Sequence, residues 1–366
     1  MTIHASILFA FCAIKALAQD SLVPTDAEIR KILVERIDAF HQSVGIVVGV
    51  IEPKGRRIVA YGKLERGDPR TLDGNTIFEI GSITKVFTSL LLADMVARGE
   101  VSLDDPVAKY LPETVKIPSR GDRQITLHDL STHTSGLPRL PSNMKPANPA
   151  NPYADYTVEQ LYQFLSDYKL PRDPGAKFEY SNLGGGLLGH ALAGRSGMDY
   201  EALVKSRICG PLGMNSTRIS LSPEMKVRLA VGHDDRMKPV PNWEIPTLAG
   251  AGALRSSAND LLTFLAANIG YTKSPLASAM AGMLKSPRPT GDPDREIALG
   301  WLMEDKKIMW HNGGTGGFRS VIAFDPRVRV GVVVLSNAST AAGVDAIGVH
   351  LLDPKSPLMK PPKQTQ

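Results

Sequence analysis

One stretch of this 366-residue chain carries residue types at a spacing that suits acyl transfer: Phe78-Glu79-Ile80-Gly81-Ser82-Ile83-Thr84-Lys85-Val86-Phe87-Thr88. Ser82 and Lys85 are three apart at the start of an apolar segment, Leu90 to Ala97, which closes with Arg98-Gly99. That composition predicts a helix with a basic residue and glycine at its end. Residues i and i+3 share a helix face, so the Lys85 amine is expected beside the Ser82 hydroxyl. A serine at a helix N-terminus also faces unpaired N–H groups and the positive end of the dipole. A cation or base beside a hydroxyl, with donors for an oxyanion, meets the needs of a nucleophilic serine. Ser-x-x-Lys is a weak signal by itself, and the chain has two more, Ser142 to Lys145 and Ser166 to Lys169. In the first, Lys145 precedes Pro146, which disfavours a helix. The second falls late in a predicted helix from Val158, away from N-terminal donors. Position selects Ser82.

A second group is Tyr180-Ser181-Asn182, ahead of Gly184 to Gly186. A tyrosine near a lysine is expected to have its pKa drawn down from about 10, which would make it a base for the Ser82 proton. Asn182 can both donate and accept, and so can orient Lys85 and a substrate amide. Taken alone, a capping Asn and a core Tyr explain the same residues. The glycines are not followed by Gly-Lys-Ser/Thr, so close helix packing accounts for them better than a phosphate loop. A third group, Trp310-His311-Asn312-Gly313-Gly314-Thr315-Gly316-Gly317-Phe318-Arg319, lies between two late strands. Its glycines would let a substrate approach an edge strand, although a hairpin turn with an exposed His is the simpler account of it alone.

The elements that position these groups follow from periodicity. Thr25-Asp26-Ala27-Glu28 is a capping box, and Ile29, Ile32, Leu33, Ile37 and Phe40 continue at helical spacing. Gly45 to Ile51 and Arg56 to Tyr61 form a hairpin around Glu52-Pro53-Lys54-Gly55. Helical segments dominate from about 100 to 285, with a helix start at Ser102 to Pro106 and another at Thr157. A Pro- and Asn-rich loop over 139–156 is long enough to suggest a functional rim. Strands return at Ile297 to Met303, Lys307 to His311, Phe318 to Phe324 and Val328 to Leu335, and a final helix is expected from Ala341 to Leu352. Strands at both chain ends around a helical middle imply an α+β fold with one antiparallel sheet and an inserted, mainly helical lobe.

Composition limits the function classes. Apolar content of 43% and charged content of 22% are those of an ordinary globular protein. The formal charge of +5 is spread without a basic run interleaved with aromatics, which argues against nucleic acid. Residues 1–18 read as a secretory signal: Ile7 to Ile14 is apolar, and Ala16-Leu17-Ala18 is a cleavage site. The n-region is weakly charged, so an uncleaved anchor is the alternative. No later run is long enough to span a bilayer. Cys12 would leave with the signal, and Cys209 then has no partner. The expected location is periplasmic or secreted. The histidines show no metal-ligand spacing, and no metal or organic cofactor is expected.

With the three groups in chain order, the sequence resembles the serine β-lactamase and penicillin-binding superfamily, closest to class C, over about residues 25 to 350. That superfamily shows Ser-x-x-Lys, Tyr-x-Asn and Lys-Thr-Gly. Ser102-Leu103-Asp104-Asp105-Pro106, Thr132 to Pro138, Pro211-Leu212-Gly213-Met214 and Gly252 to Ser257 also look like its signatures. The resemblance implies a β-lactamase/transpeptidase-like fold, with Ser82 the nucleophile, Lys85 its activating neighbour and Tyr180 the general base. It implies that Asn182 binds substrate and Lys85, and that the N–H groups of Ser82 and Gly314 form the oxyanion hole; which group takes the first proton stays open. Where class C enzymes have Lys-Thr-Gly, this chain has His311-Asn312-Gly313. That is similar to D-alanyl-D-alanine peptidases, D-aminopeptidases and family VIII carboxylesterases. Arg319 would then supply the charge for a substrate carboxylate if it points into the cleft, with His311 gaining charge as the pH falls from about 8 to 6.

The expected organisation is a signal over 1–18, a hydrolase domain over 19–352 and a disordered tail over 353–366. Within the domain, a sheet lobe covers about 25–65 and 290–352 and a helical lobe about 66–289. The expected activity is hydrolysis through an acyl-enzyme on a small-molecule β-lactam or D-Ala peptide, or alternatively a short ester. A receptor that acylates slowly and does not turn over is the third possibility, and a complete set of Ser82, Lys85, Tyr180 and Asn182 argues against it.

Overall fold

A computed structural model describes residues 23–358. The 1–18 signal and the tail beyond residue 358 lie outside the described residues. Helix α1 (Asp26–Val34) starts at the expected capping box, with Thr25 and Glu28 each accepting from the other's backbone. Strands β1 (Gly45–Glu52) and β2 (Gly55–Gly62) form the early hairpin. A short pair follows, β3 (Ile77–Glu79) with β4 (Arg255–Ser257), on either side of the helical middle. The late strands are β5 (Arg288–Pro289), β6 (Arg295–Ile297), β7 (Leu302–Glu304), β8 (Ile308–Gly314), β9 (Arg319–Asp325) and β10 (Val330–Ser336). Together they build one eight-stranded antiparallel sheet in the order β2-β1-β10-β9-β8-β7-β6-β5.

The two chain ends meet at β1 and β10, in register from Ile46 opposite Ser336 to Ile51 opposite Gly331. β1 is buried along its whole length because the sheet is covered on both faces. Ile46, Val48 and Val50 point to one face with Val332 and Val334, against α1 and the last helix (Asp345–Leu352). Val47 and Ile51 point to the other, with Val333 and Leu335, into the larger core under the helical middle. Period-two alternation thus assigns alternate residues of each strand to two cores.

At the centre of the larger core runs helix α2 (Thr84–Ala97), buried from Thr84 to Met95. Phe87 stacks on Phe264 at 4.6 Å, and Phe264 faces Trp301 at 6.4 Å. Helix α3 (Asn182–Ser196) packs beside α2, capped by Ser181, whose hydroxyl accepts from the Gly184 N–H at 2.8 Å. The glycine run allows that approach: a Cβ on Gly185 would stand 3.0 Å from Lys85 Cε.

Several expectations need correction. Ile297 to Met303 is two strands, not one: the chain turns at Gly300 (φ +69°), and the Ala298 N–H donates to the Trp301 carbonyl at 2.8 Å. The last helix begins at Asp345 rather than Ala341. The predicted helix after Ser102 is only a 3-10 turn over Val107–Tyr110, with the Asp105 carboxylate accepting from the Ser102 N–H. Of the tail expected to be disordered, residues 353–358 are placed. The Ser356 carbonyl meets His350 Nδ1 at 2.8 Å, and Leu358 packs on the core beneath the last helix.

Candidate active site

Ser82 sits in a single 3-10 turn, Gly81–Ile83, that runs directly into α2. The turn is held at the end of β8. Gly81 has φ +49°, and a Cβ there would lie 2.6 Å from the Gly314 nitrogen, so only glycine fits. The Ser320 hydroxyl on β9 also donates to the Ile80 carbonyl at 2.9 Å. The Thr315 N–H donates to the Phe318 carbonyl at 3.1 Å. Ladder bonds alternate along an antiparallel pair, so Gly314, the next residue in register with Arg319, directs its N–H away from β9. β7 pairs only with Ile308 to Trp310, so no strand takes that side of Gly314, which lies against Gly81 and lines the same cleft as Ser82.

Lys85, the second residue of α2 and one turn after Ser82, is 3% exposed and makes three contacts through Nζ: Ser82 Oγ at 3.0 Å, Asn182 Oδ1 at 2.9 Å and the Ala251 carbonyl at 2.7 Å. The two latter oxygens can only accept, whereas the Ser82 hydroxyl can also donate. Nζ donates to all three oxygens. Once deprotonated, the amine would keep its two N–H groups for Asn182 and Ala251 and turn its lone pair to the Ser82 hydroxyl. Burial pushes the Lys85 amine well below its ordinary pKa, and the nearby Arg139 guanidinium lowers it further. Asn182 is fixed in turn, its amide donating to the Tyr153 hydroxyl at 3.1 Å.

Tyr180 lies just before α3 and lines the same cleft as Ser82, whose hydroxyl acts to lower its pKa. Its ring is packed between His133, 4.4 Å between centroids, and His311, 6.3 Å away. Lys85 Nζ is 4.9 Å from the Tyr180 ring centroid and the Arg139 guanidinium 5.2 Å. Even so, burial raises the Tyr180 pKa to about 12, and the Ser82 hydroxyl and Arg139 offset only part of that rise. The expected phenolate is corrected here: desolvation outweighs the pull of Arg139 and Ser82, and Tyr180 is a neutral phenol.

The cleft over these groups measures about 640 Å³ and is lined by Ser82, Tyr180, Asn182, Gly313, Gly314 and Arg319, among others. His311 is not among the lining residues. It is 1% exposed, its Nδ1 lies 2.6 Å from the Asn312 carbonyl, and burial beside Lys85 lowers its pKa to about 4. The expectation that His311 charges between pH 8 and 6 is therefore overturned. Arg319 does reach the cleft, but its guanidinium donates to three backbone carbonyls, of Thr315 (3.0 Å), Phe318 (2.9 Å) and Ser339 (2.8 Å). The other serines followed by lysine stand apart: Ser142 is exposed, and Ser166 accepts the Lys116 N–H at 3.2 Å.

Sequence reasoning missed Arg139, Tyr153, Trp243 and Asp345 on the cleft wall, His133 against Tyr180 and the Ala251 carbonyl. The length and Pro content of 139–156 was a usable signal for the first two; a backbone carbonyl gives none. Among the described residues no three His, Cys, Asp or Glu side chains are grouped as metal ligands would be. No helix among them is long and apolar enough to cross a membrane.

A family model described as Beta-lactamase matches residues 32–352. A D-alanyl-D-alanine-carboxypeptidase/endopeptidase, AmpH, of Escherichia coli K12 is 31% identical, covering 91% of this chain and 91% of its own. A beta-lactamase of Pseudomonas fluorescens is 28% identical, covering 85% of this chain and 94% of its own. The crystal structure of a class C beta lactamase from Rhodobacter sphaeroides superposes with a TM-score of 0.76 at 28% identity, covering 89% of this chain and 98% of that one.

Proposed function

Since the chain belongs to the beta-lactamase family, we propose that it is a serine hydrolase acylated on Ser82, cleaving β-lactam amides or D-Ala peptides. The observation that carries this reading is the Lys85 amine, 3.0 Å from Ser82 Oγ and held there by Asn182 and Ala251, where its deprotonated form can take the hydroxyl proton. Lys85 takes the Ser82 proton as Oγ attacks the carbonyl carbon. The N–H groups of Ser82 and Gly314 hold the oxyanion. As the C–N bond breaks, Tyr180 gives its proton to the leaving nitrogen and is reprotonated from Lys85. Water then attacks the ester on Ser82 with the same groups in reverse, freeing the acid and restoring the serine. The reading places the enzyme in the periplasm or outside the cell, on the signal-like 1–18 segment.

Ester hydrolysis is the second reading. Its support is His311, a buried neutral group where class C enzymes carry lysine. The test is a kinetic panel of nitrocefin, a D-Ala-D-Ala peptide and a short p-nitrophenyl ester, with covalent labelling by fluorescent penicillin. Ser82→Ala should abolish turnover and labelling, while Ser142→Ala and Ser166→Ala label normally. Labelling of Ser82→Ala at wild-type stoichiometry would refute the nucleophile.

A further inference from the structure

We propose that His133 is a positioning residue that aims the Tyr180 phenol for proton transfer, holding the residue before the tyrosine, the residue after it and its ring. This rests on the acyl-enzyme reading above. Tyr180 belongs to an irregular stretch, Phe178 to Ser181, with no helix or strand to set its direction. Its hydroxyl is at the end of a long side chain, so a small backbone rotation there swings the oxygen away. His133 takes up both flanking N–H groups: its carbonyl accepts from Glu179 at 2.8 Å, and its ring Nδ1 accepts from Ser181 at 3.2 Å. The imidazole also lies against the Tyr180 ring, 4.4 Å between centroids and tilted by 35°, and meets Phe178 edge-on at 5.9 Å. His311, the other imidazole beside Tyr180, is 6.3 Å away.

These demands select the residue type. His133 has φ +56°, a left-handed conformation in which asparagine, aspartate and histidine are enriched. Asparagine would supply the acceptor but no ring, and phenylalanine a ring but no acceptor. Histidine supplies both while it is neutral, because the Ser181 N–H needs the Nδ1 lone pair. Burial, at 3% exposure, keeps it so, holding its pKa well below the ordinary value with the help of Lys85, His311 and Arg139 nearby. The backbone under His133 is fixed in turn. The Thr134 N–H donates to the Asp129 carbonyl at 2.9 Å, and the Thr134 carbonyl accepts from Gly175 at 2.8 Å. The Asp129 carboxylate is paired with Arg288 of β5 at 2.5 Å. Tyr180 is thus referred, through one imidazole, to a rigid part of the core rather than to its own loop.

The test is a double-mutant cycle on the rate of covalent labelling by fluorescent penicillin, whose leaving nitrogen Tyr180 protonates. The proteins are wild type, His133→Asn, Tyr180→Phe and the double variant. His133→Asn keeps an acceptor for Ser181 and suits the positive φ, so it removes chiefly the ring against Tyr180. It should slow labelling by about 10–100-fold at full final stoichiometry, the scale on which a misplacement of about 1 Å acts. In the Tyr180→Phe background the same change should slow labelling by less than about threefold, because the group it aims is gone. His133→Phe, which keeps a ring and removes the acceptor, should show the same dependence on Tyr180. A merely structural role would slow labelling by one factor in both backgrounds. Equal factors, or a His133→Asn that labels at the wild-type rate, overturn the assignment. Tyr180→Phe labelling at the wild-type rate removes the group to be aimed and this proposal with it, while Ser82 stays the nucleophile. An unlabelled wild type overturns the β-lactam reading and this one together.

Discussion

Tyr180 and Lys85 share one serine but are driven in opposite directions by the same burial. Desolvation disfavours whichever form is charged, so it raises the phenol and lowers the amine. In the proposed mechanism the acid limb of the kcat/KM profile therefore belongs to Lys85. Tyr180→Phe should cut kcat by about 10²–10⁴ and leave the position of that limb where it is. A limb that moves or vanishes in Tyr180→Phe would mean that the tyrosine is the group titrating. His311 supplies a second prediction. With a pKa of about 4 it stays neutral between pH 8 and 6, so it adds no slope to the KM of an anionic β-lactam over that interval. Its folded value lies below the unfolded value of about 6.5, so its stabilising contribution is complete above about pH 6.5 and is lost as pH falls toward about 4. The stability of wild type relative to His311→Phe, from urea midpoints, should shrink by about 2–3 kcal/mol between pH 7.5 and 4.5. A pH-independent difference would place the imidazole pKa near its ordinary value.

At the scale of elements, the oxyanion site is a contact between a 3-10 turn and a strand end, and Gly81 is its tightest point. Alanine there meets both the positive φ and the Gly314 nitrogen at 2.6 Å. Gly81→Ala should cost about 1–3 kcal/mol of stability and reduce kcat about 10²–10³-fold, as loss of one oxyanion donor does. If labelling and turnover stay at wild-type rates, Gly314 is not the donor. The elements themselves were largely legible. Capping boxes at Thr25 and Thr157 and the apolar, β-branched runs of β1, β9 and β10 are local signals, written in neighbouring residues. Ser82, Lys85, Tyr180 and Asn182 were legible because helix geometry and motif spacing bring them forward. What stayed hidden was burial across the chain. Nothing near His311 in sequence says that it will be 1% exposed, and nothing near Arg139 says that its neighbour is a tyrosine 41 residues on. The break at Gly300 was missed because apolar residues on both sides matched a single strand.

At the scale of the whole molecule, the sheet is closed by a side chain rather than by backbone pairing alone. Asn337, just past β10, is fully buried where the chain ends converge. Its Oδ1 accepts the Gly45 N–H at 2.7 Å, and its Nδ2 donates to the carbonyls of Lys63 (3.2 Å) and Leu64 (3.0 Å). One amide thus clamps both ends of the early hairpin to the end of the late sheet, across nearly the whole inserted helical middle. Neither Asn337 nor Gly45 lines the catalytic cleft. Asn337→Ala leaves a buried N–H and two carbonyls with fewer partners, at a cost of about 1–3 kcal/mol for each group left unsatisfied. The early hairpin and the late strands share one sheet, and α2 is packed against that sheet's core. Their loss should therefore be a single event, with the urea midpoint falling by the same amount whether followed by far-UV circular dichroism or by penicillin labelling. Below the transition, kcat should match wild type. Two separated transitions, with labelling lost before the sheet signal, would mean that the helical middle unfolds independently and that the closure at Asn337 does not tie the site to the sheet.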